Sequence, residues 1–183
     1  PGTASAYAEI PRGAAVLTVR DTQSGDTLFQ IDYEPPADVT EATLFVYGEG
    51  DAVQVVTASD NAYGALADQA WLRVFHANPN QPDLQLSAQG PADVDTSPSA
   101  APTPAETPLP PEAALVDLAQ YGLPTDPITL QPGTYRVHIL NAANDLRIYT
   151  DPLVTLKAGA FYDLLILPDP TGLSIELALI PRG

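Results

Sequence analysis

The stretch EIPRGAAVLTV at residues 9–19 aligns with TLQPGTYRVHI at residues 129–139, at an offset of 120 residues and without a gap. At the same offset, ATLFVY at residues 42–47 aligns with YDLLIL at residues 162–167. Two separated segments that share one offset indicate an internal structural repeat. Residues 70–126 precede the second copy and have no counterpart ahead of the first. The sequence therefore predicts the back half of one unit followed by one whole unit.

Short apolar runs and two-residue alternation dominate the chain, and both are typical of β-strands. Turn residues separate these runs at spacings of roughly 8–12 residues, which favours an all-β sandwich or barrel. Two segments, 61–69 and 113–120, are instead predicted as short helices, and the second of them is expected to cover a sheet edge. The predicted strands are 6–10, 14–20, 27–33, 42–47, 52–57, 70–76, 83–87, 127–130, 133–140, 146–150, 160–167 and 173–180.

These elements predict three parts: the back half of a first β-sandwich unit at 1–58, a linker at 59–69, and a complete unit at 70–181. Residues 91–112 form an insertion within the complete unit, and seven of these 22 residues are proline. Proline has no backbone donor for a β-ladder. The insertion is therefore predicted to be an exposed loop of polyproline-II character.

The charge and composition of the chain exclude several classes of function. A net charge of −16 repels phosphate backbones and anionic lipid, so we expect no nucleic-acid partner. The chain has no cysteine, which excludes disulfides, thiolate nucleophiles and cysteine metal sites. No apolar run reaches the roughly 18–20 residues that span a bilayer, so we expect no membrane insertion.

The sequence also contains no methionine and no N-terminal signal segment. These features lead us to expect a processed or truncated chain, such as a mature secreted protein whose signal peptide has been removed. Together with the acidic, cysteine-free composition, they predict an extracellular or cell-surface location.

The signatures of common enzyme classes are missing from the sequence, including the nucleophile elbow, the phosphate loop and the zinc-protease motif. We therefore predict that the protein is not an enzyme, with no catalytic residues and no cofactor. His76 is predicted to be a structural residue that hydrogen-bonds the following turn. His138 alternates with apolar neighbours and is expected to face solvent or an interface. Trp71, Tyr135 and Tyr162 are predicted to fill the core, each with its polar tip bonded.

Acidic residues in corresponding loops give weak candidates for a calcium site. Glu49 and Asp169 occupy the same place in the two copies, and Asp51 lies close to the first of them. Calcium takes six to eight oxygen ligands, whereas each cluster offers two or three. A solvated acidic loop is the preferred interpretation.

Three segments of the whole unit resemble a secreted bacterial family called domain of unknown function 4397. WLRVFHANP at 71–79, followed by PDLQL at 82–86, resembles the opening strand pair of that family. LQPGTYRV at 130–137 resembles its central strand, and VTLKAGAFY at 154–162 resembles a later strand. The chain departs from the family pattern at Asn78, where serine is usual, and in its proline-rich insertion and missing front half.

This resemblance covers roughly 71–180, and half of it recurs over 7–57. It implies immunoglobulin-like or transthyretin-like antiparallel β-sandwich units, often in tandem, on exported or surface proteins. It implies no catalytic residues.

The functional hypotheses depend on how the incomplete first unit is explained. The chain is a piece of a longer array, or closes with a permuted boundary, or is completed by strand addition from a neighbouring subunit. We predict an extracellular structural protein, a cell-surface or filament subunit that assembles through β-strand pairing between units. The alternative is a surface adhesin-type module that binds glycans or calcium.

Overall fold

The computed structural model describes residues 9, 13–35, 37–48, 52–60, 67–90, 113–150, 153–171 and 174–182. The regular secondary structure of these residues consists of β-strands, which confirms the all-β prediction. The chain divides into two compact units, a first unit at Thr3–Gly64 and a second unit that contains Ala65–Gly183. The strands are β1 (Ala15–Arg20), β2 (Thr27–Tyr33), β3 (Ala42–Tyr47), β4 (Gln54–Ser59), β5 (Ala70–His76), β6 (Leu84–Gln89), β7 (Ala113–Ala119), β8 (Ile128–Leu130), β9 (Gly133–Asn141), β10 (Arg147–Thr150), β11 (Val154–Leu156), β12 (Phe161–Pro168) and β13 (Ile175–Arg182).

Some predicted segments lie outside the described residues. They are the proline-rich insertion at 91–112, most of the predicted helix at 61–69, and the predicted strand at 6–10 apart from Glu9. Among the residues that the structure does describe, none forms a helix with the length and apolarity needed to cross a bilayer.

The second unit is a β-sandwich. A four-stranded sheet has the order β13-β12-β5-β8, and a five-stranded sheet has the order β10-β9-β6-β7, with β11 also paired to β9. Alternate side chains of both sheets meet in one apolar core. Each fully buried Leu, Ile or Val of this core contributes roughly 1.5–3 kcal/mol to stability. The most deeply buried of these residues are Leu72, Val74, Leu84, Leu86, Val137, Ile139, Leu164 and Ile166.

The four-stranded sheet is mixed, which departs from the predicted antiparallel arrangement. Strands β5 and β12 pair in parallel, with Leu72 opposite Tyr162 and Val74 opposite Leu164. A parallel pair requires a long crossover, and here the chain between the two strands passes through the other sheet.

Residues 113–120 were predicted to be helical, and that prediction is wrong because they contain the edge strand β7. Leu118 is exposed, whereas Val116 and Ala119 are buried, so apolar positions do not alternate regularly along the strand. The register of the β6–β7 pair shifts at irregularities, and such bulges break the two-residue period. The short strand β11 is also missing from the predicted strands.

The two units contain the same first hairpin. Strands β1 and β2 pair antiparallel, as do β9 and β10, and both pairs carry an irregularity at the same place. Three Cα partner pairs recur at the offset of 120 residues, so the repeat extends from sequence to register. They are Arg20↔Thr27, Val19↔Phe29 and Thr18↔Gln30 in the first unit, and Leu140↔Arg147, Ile139↔Tyr149 and His138↔Thr150 in the second.

Local turn chemistry sets this register in the first unit. The Asp21 N–H donates to the Asp26 carbonyl at 2.9 Å, and the Gly25 N–H donates to the Asp21 carbonyl at 2.9 Å. The Asp21 carboxylate accepts the Gln23 and Ser24 N–H groups, each at 2.7 Å. Gly25 has φ of 78°, a conformation that glycine adopts without steric cost.

The second unit closes the equivalent turn with different residues. The Asn141 N–H donates to the Leu146 carbonyl, and the Asp145 N–H donates to the Asn141 carbonyl, both at 2.9 Å. The Asn141 side-chain oxygen accepts the Ala143 N–H at 2.8 Å. Asp145 takes the left-handed position, with φ of 55°, which Asp tolerates better than most residues. Different sequences therefore reach the same hairpin.

The second hairpins, β3–β4 and β12–β13, also correspond, with a displaced register. Val46 pairs with Val55, whereas its counterpart Ile166 pairs with Leu177, two residues beyond the position equivalent to Val55. Because the displacement is an even number of residues, equivalent side chains remain on the same face.

Candidate functional site

Strands β1 and β3 of the first unit have fewer pairing partners than their counterparts β9 and β12 in the second unit. In the second unit, β9 lies between β10 and β6, and β12 lies between β13 and β5. In the first unit, β1 pairs with β2 and β3 pairs with β4, and within the described part of the chain neither strand has a partner on its other side. We call these two unfilled sides, on β1 and β3, the acceptor edges. Exposed strand edges carry N–H and C=O groups that can pair with another strand.

On the face that corresponds to the core of the second unit, side chains beside the acceptor edges are less buried than their counterparts, whereas Phe45 on the other face of β3 is buried and its counterpart Leu165 is half-buried. Leu164 and Ile166 are 0% exposed, whereas the equivalent Leu44 is half-buried and Val46 is 49% exposed. Leu17 on β1 is likewise half-buried, although its counterpart Val137 is buried. The face that forms the core of the second unit is therefore apolar but incompletely covered in the first.

One continuous segment fills both equivalent edges in the second unit. We call residues 70–89 the bridging segment, since β5 joins the four-stranded sheet, the chain turns, and β6 joins the five-stranded sheet. Its turn bonds to both hairpins. The Ala77 N–H donates to the Ile166 carbonyl at 2.8 Å, and the Asp83 carbonyl accepts the Ala142 N–H at 3.0 Å.

Asn78 secures this turn from within. It is fully buried, and its Nδ2 donates to the carbonyls of Leu167 at 3.4 Å and Ser174 at 3.2 Å. Its Oδ1 accepts the Asn80 N–H at 3.0 Å. One amide side chain thus joins the bridging segment to both ends of the β12–β13 hairpin loop.

His76 has the structural role predicted from its position. Its Nε2 lies 3.1 Å from the Pro82 carbonyl oxygen, and its Nδ1 accepts the Asn78 N–H at 3.3 Å, both in the following turn. This arrangement requires the proton on Nε2. Burial lowers the pKa of His76, because the charged imidazolium loses its hydration. The neutral ring also contacts Tyr121 edge-on, with centroids 5.9 Å apart.

The aromatic predictions are confirmed for two of the three residues. Tyr135 and Tyr162 are buried in the core, where the Tyr135 hydroxyl donates to the Gln131 carbonyl at 2.6 Å and the Tyr162 hydroxyl accepts the Lys157 N–H at 3.0 Å. Trp71 is different. Side chains alternate along β5, so Trp71 lies on the opposite face from the core residue Leu72, and it is only half-buried.

His138 also differs from its predicted exposure. It was expected to face solvent or an interface, but it is 3% exposed. It lies opposite Ser87 in the β6–β9 register and contacts the Thr150 hydroxyl through Nδ1 at 3.1 Å. Both faces of β9 are therefore buried at this position.

A buried charge cluster was not predicted from the sequence. Arg73 donates through Nε to Asp163 Oδ1 at 2.8 Å, and Arg182 donates through Nε to Asp163 Oδ2 at 2.6 Å. Both guanidinium groups also lie near the Phe161 ring, at 5.5 and 4.4 Å from its centroid. Arg73 and Asp163 are 90 residues apart in sequence, and only the parallel pairing of β5 with β12 places them opposite each other.

Of the three calcium candidates, the structure describes Asp169. The Asp169 carboxylate accepts the Thr171 hydroxyl at 2.8 Å and the Ser174 N–H at 3.1 Å, so it stabilises its own hairpin turn. Glu49 and Asp51 lie outside the described residues. Among the residues that are described, no group of three or more His, Asp or Glu side chains could hold a metal ion.

Comparison with known proteins gives several structural likenesses. A crystal structure of a "putative cell adhesion protein" from Bacteroides ovatus is 14% identical in sequence with a TM-score of 0.35, which does not establish a common fold. The match covers 92% of this chain and 59% of that one. No protein-family model and no curated protein sequence matches the chain. The resemblance to the bacterial family named above stays a prediction.

Proposed function

We propose that this protein is an extracellular structural subunit, at a cell surface or in a filament, that assembles through β-strand pairing at the acceptor edges. The observation that supports the proposal is the comparison of the paired hairpins. The first unit repeats the two hairpins of the second, and β1–β2 also repeats the turn and register of β9–β10, yet β1 and β3 have no further partner among the described residues, and Val46 is 49% exposed.

Strand addition is favoured over simple burial by a side chain or a small ligand. An edge supplies a ladder of backbone donors and acceptors, while alternating apolar side chains beside it supply specificity. A head-to-tail contact of this kind that does not close on itself produces a filament.

Two exposed valines give a matched test of the proposal. Val46 lies on the face that corresponds to the core of the second unit, whereas Val16 is 55% exposed on the opposite side of β1 from Leu17. Val46→Lys should place a charge where the added strand buries its side chains, and strand pairing should be lost. Val16→Lys adds the same charge outside that face.

Sedimentation velocity over a concentration series, with electron microscopy of the concentrated samples, measures the outcome. We expect the wild-type chain and Val16→Lys to form oligomers or fibres, and Val46→Lys to stay monomeric. A wild-type chain that remains a compact monomer at high concentration, or a Val46→Lys variant that assembles as the wild type does, would refute the proposal.

A further inference from the structure

We infer that the partner of the acceptor edges is a segment of the bridging type, presented by a neighbouring polypeptide, which enters parallel to β3 and antiparallel to β1. This inference rests on the proposed function and specifies its partner. It predicts the orientation, the register and the side-chain chemistry of the incoming chain.

The second unit supplies the template for the orientation and register. There, β5 runs parallel to β12 with Val74 opposite Leu164, and β6 runs antiparallel to β9 with Leu86 opposite Ile139. At the offset of 120 residues, the incoming equivalent of Val74 lies opposite Leu44, and that of Leu86 lies opposite Val19.

The incoming segment must be apolar on alternate positions of both its strands. In the bridging segment those positions are Leu72 and Val74 on β5 and Leu84 and Leu86 on β6, and all four are buried between the sheets. Such a segment would cover the half-buried and exposed side chains beside the acceptor edges. A polar or proline-rich strand would not, because it can neither fill that face nor complete both ladders.

The turn of the incoming segment would join the two hairpins of the first unit. By equivalence with Ala77 and Asp83, its N–H would donate to the Val46 carbonyl, and its carbonyl would accept the Thr22 N–H. The two hairpins would then be held together as in the second unit. A single strand on one edge would leave the other open.

The test uses the whole chain with an added copy of residues 70–89 fused ahead of residue 1 through a flexible Gly/Ser linker. The linker presents the copy to the acceptor edges at high effective concentration. The control carries the same 20 residues in scrambled order. Amide hydrogen exchange in β1 and β3 is the readout, and sedimentation velocity is measured in parallel.

We expect exchange in both strands to slow by more than about tenfold relative to the scrambled control, because the added ladders must open before exchange occurs. Equal exchange in the true and scrambled fusions would overturn the inference.

This result is separable from the proposed function. If the wild-type chain assembles although the fused segment gives no protection, the proposed function stands and the inference of a bridging-type partner is refuted. A wild-type chain that stays monomeric, together with strong protection in the fusion, would support the partner and refute self-assembly of this chain.

Cross-linking tests the register, since the chain has no cysteine of its own. Val19→Cys should form a disulfide with Leu86→Cys in the added copy, because directly opposed residues lie within disulfide reach. Leu17→Cys, two residues away on the same face, should not. The reverse preference would overturn the predicted register.

Discussion

The hairpins β1–β2 and β9–β10 share their register and turn hydrogen bonds, yet they differ in how deeply their side chains are buried. Val137 and Ile139 are part of a closed core, whereas Leu17 and Val19 are half-buried. The comparison shows that the same hairpin forms with Asp21 or Asn141 at its turn, and with its apolar side chains either half-buried or buried. A core, in contrast, requires the bridging segment that joins one hairpin to the next.

The largest expected difference in stability between the units comes from substituting alanine for equivalent leucines. Leu164 is fully buried, so Leu164→Ala should destabilise the second unit by about 2–5 kcal/mol through lost burial and an internal cavity. Leu44→Ala should cost the first unit only about 1 kcal/mol, because less of that side chain leaves water. Hydrogen exchange resolved by strand reports each unit separately. Equal losses would show that the first unit has a closed core of its own.

Asn78→Ala breaks the connection that distinguishes the second unit from the first. The carbonyls of Leu167 and Ser174 would lose their Nδ2 donor in a buried turn, at a cost of about 1–3 kcal/mol. Fluorescence of the single tryptophan, Trp71, during denaturation should report this loss. Exchange in β1 and β3 serves as the internal control and should not change. An unaltered midpoint would mean that backbone bonds alone hold the turn.

His76 should make the second unit sensitive to moderate acid. Burial lowers its pKa in the folded state, so as the pH falls below about 6.5 the unfolded chain takes up a proton that the folded chain resists. The contribution of neutral His76 to stability is therefore fully present above that pH. It is lost progressively as the pH falls from there to the lowered pKa of the folded state. Denaturation at pH about 8 and about 5 should show the decline. His76→Gln should lower the stability at both pH values. The decline in stability between pH about 8 and about 5 should be smaller in this variant than in the wild type, because glutamine does not titrate.

The smallest expected difference concerns Asp21 and its counterpart Asn141. The N–H groups of Ser24 and Gln23 lower the pKa of Asp21 below its usual value of 3.8, so protonation in stronger acid should loosen the first hairpin turn. Its contribution to stability is present above the unfolded pKa and is lost as the pH falls through the folded pKa. Nuclear magnetic resonance of the Gln23 and Ser24 amides should detect the change. The Ala143 amide, bonded to Asn141, should not titrate in the same way, and a matching transition there would argue against this cause.

Much of the fold could be predicted from local sequence. The strands of both hairpins follow from alternating apolar residues and from turn residues such as Gly25, and the offset of 120 residues identified the repeat. Strand β7 could not be predicted, because irregularities in its pairing with β6 disturb the two-residue period of its apolar side chains.

Long-range features could not be predicted in this way. The contact of Arg73 with Asp163 depends on a parallel pairing across 90 residues, which no local pattern reveals. Burial of His138 depends on what covers the outer face of β9, and not on its neighbours in sequence. Trp71 was placed in the core because it is large and apolar, although alternation with Leu72 directs it to the other face. The incomplete unit was predicted, but the acceptor edges could be assigned only from the strand order of its complete counterpart.

The most direct test of the acceptor edges compares amide exchange of the wild-type chain in dilute and in concentrated solution. In dilute solution, β1 and β3 should exchange much faster than β9 and β12, whose edges are filled by β6 and β5. On concentration, protection of β1 and β3 should rise as assemblies form. Protection of β1 and β3 in the dilute monomer equal to that of β9 and β12 would contradict the account, since it would mean that the first unit is already complete.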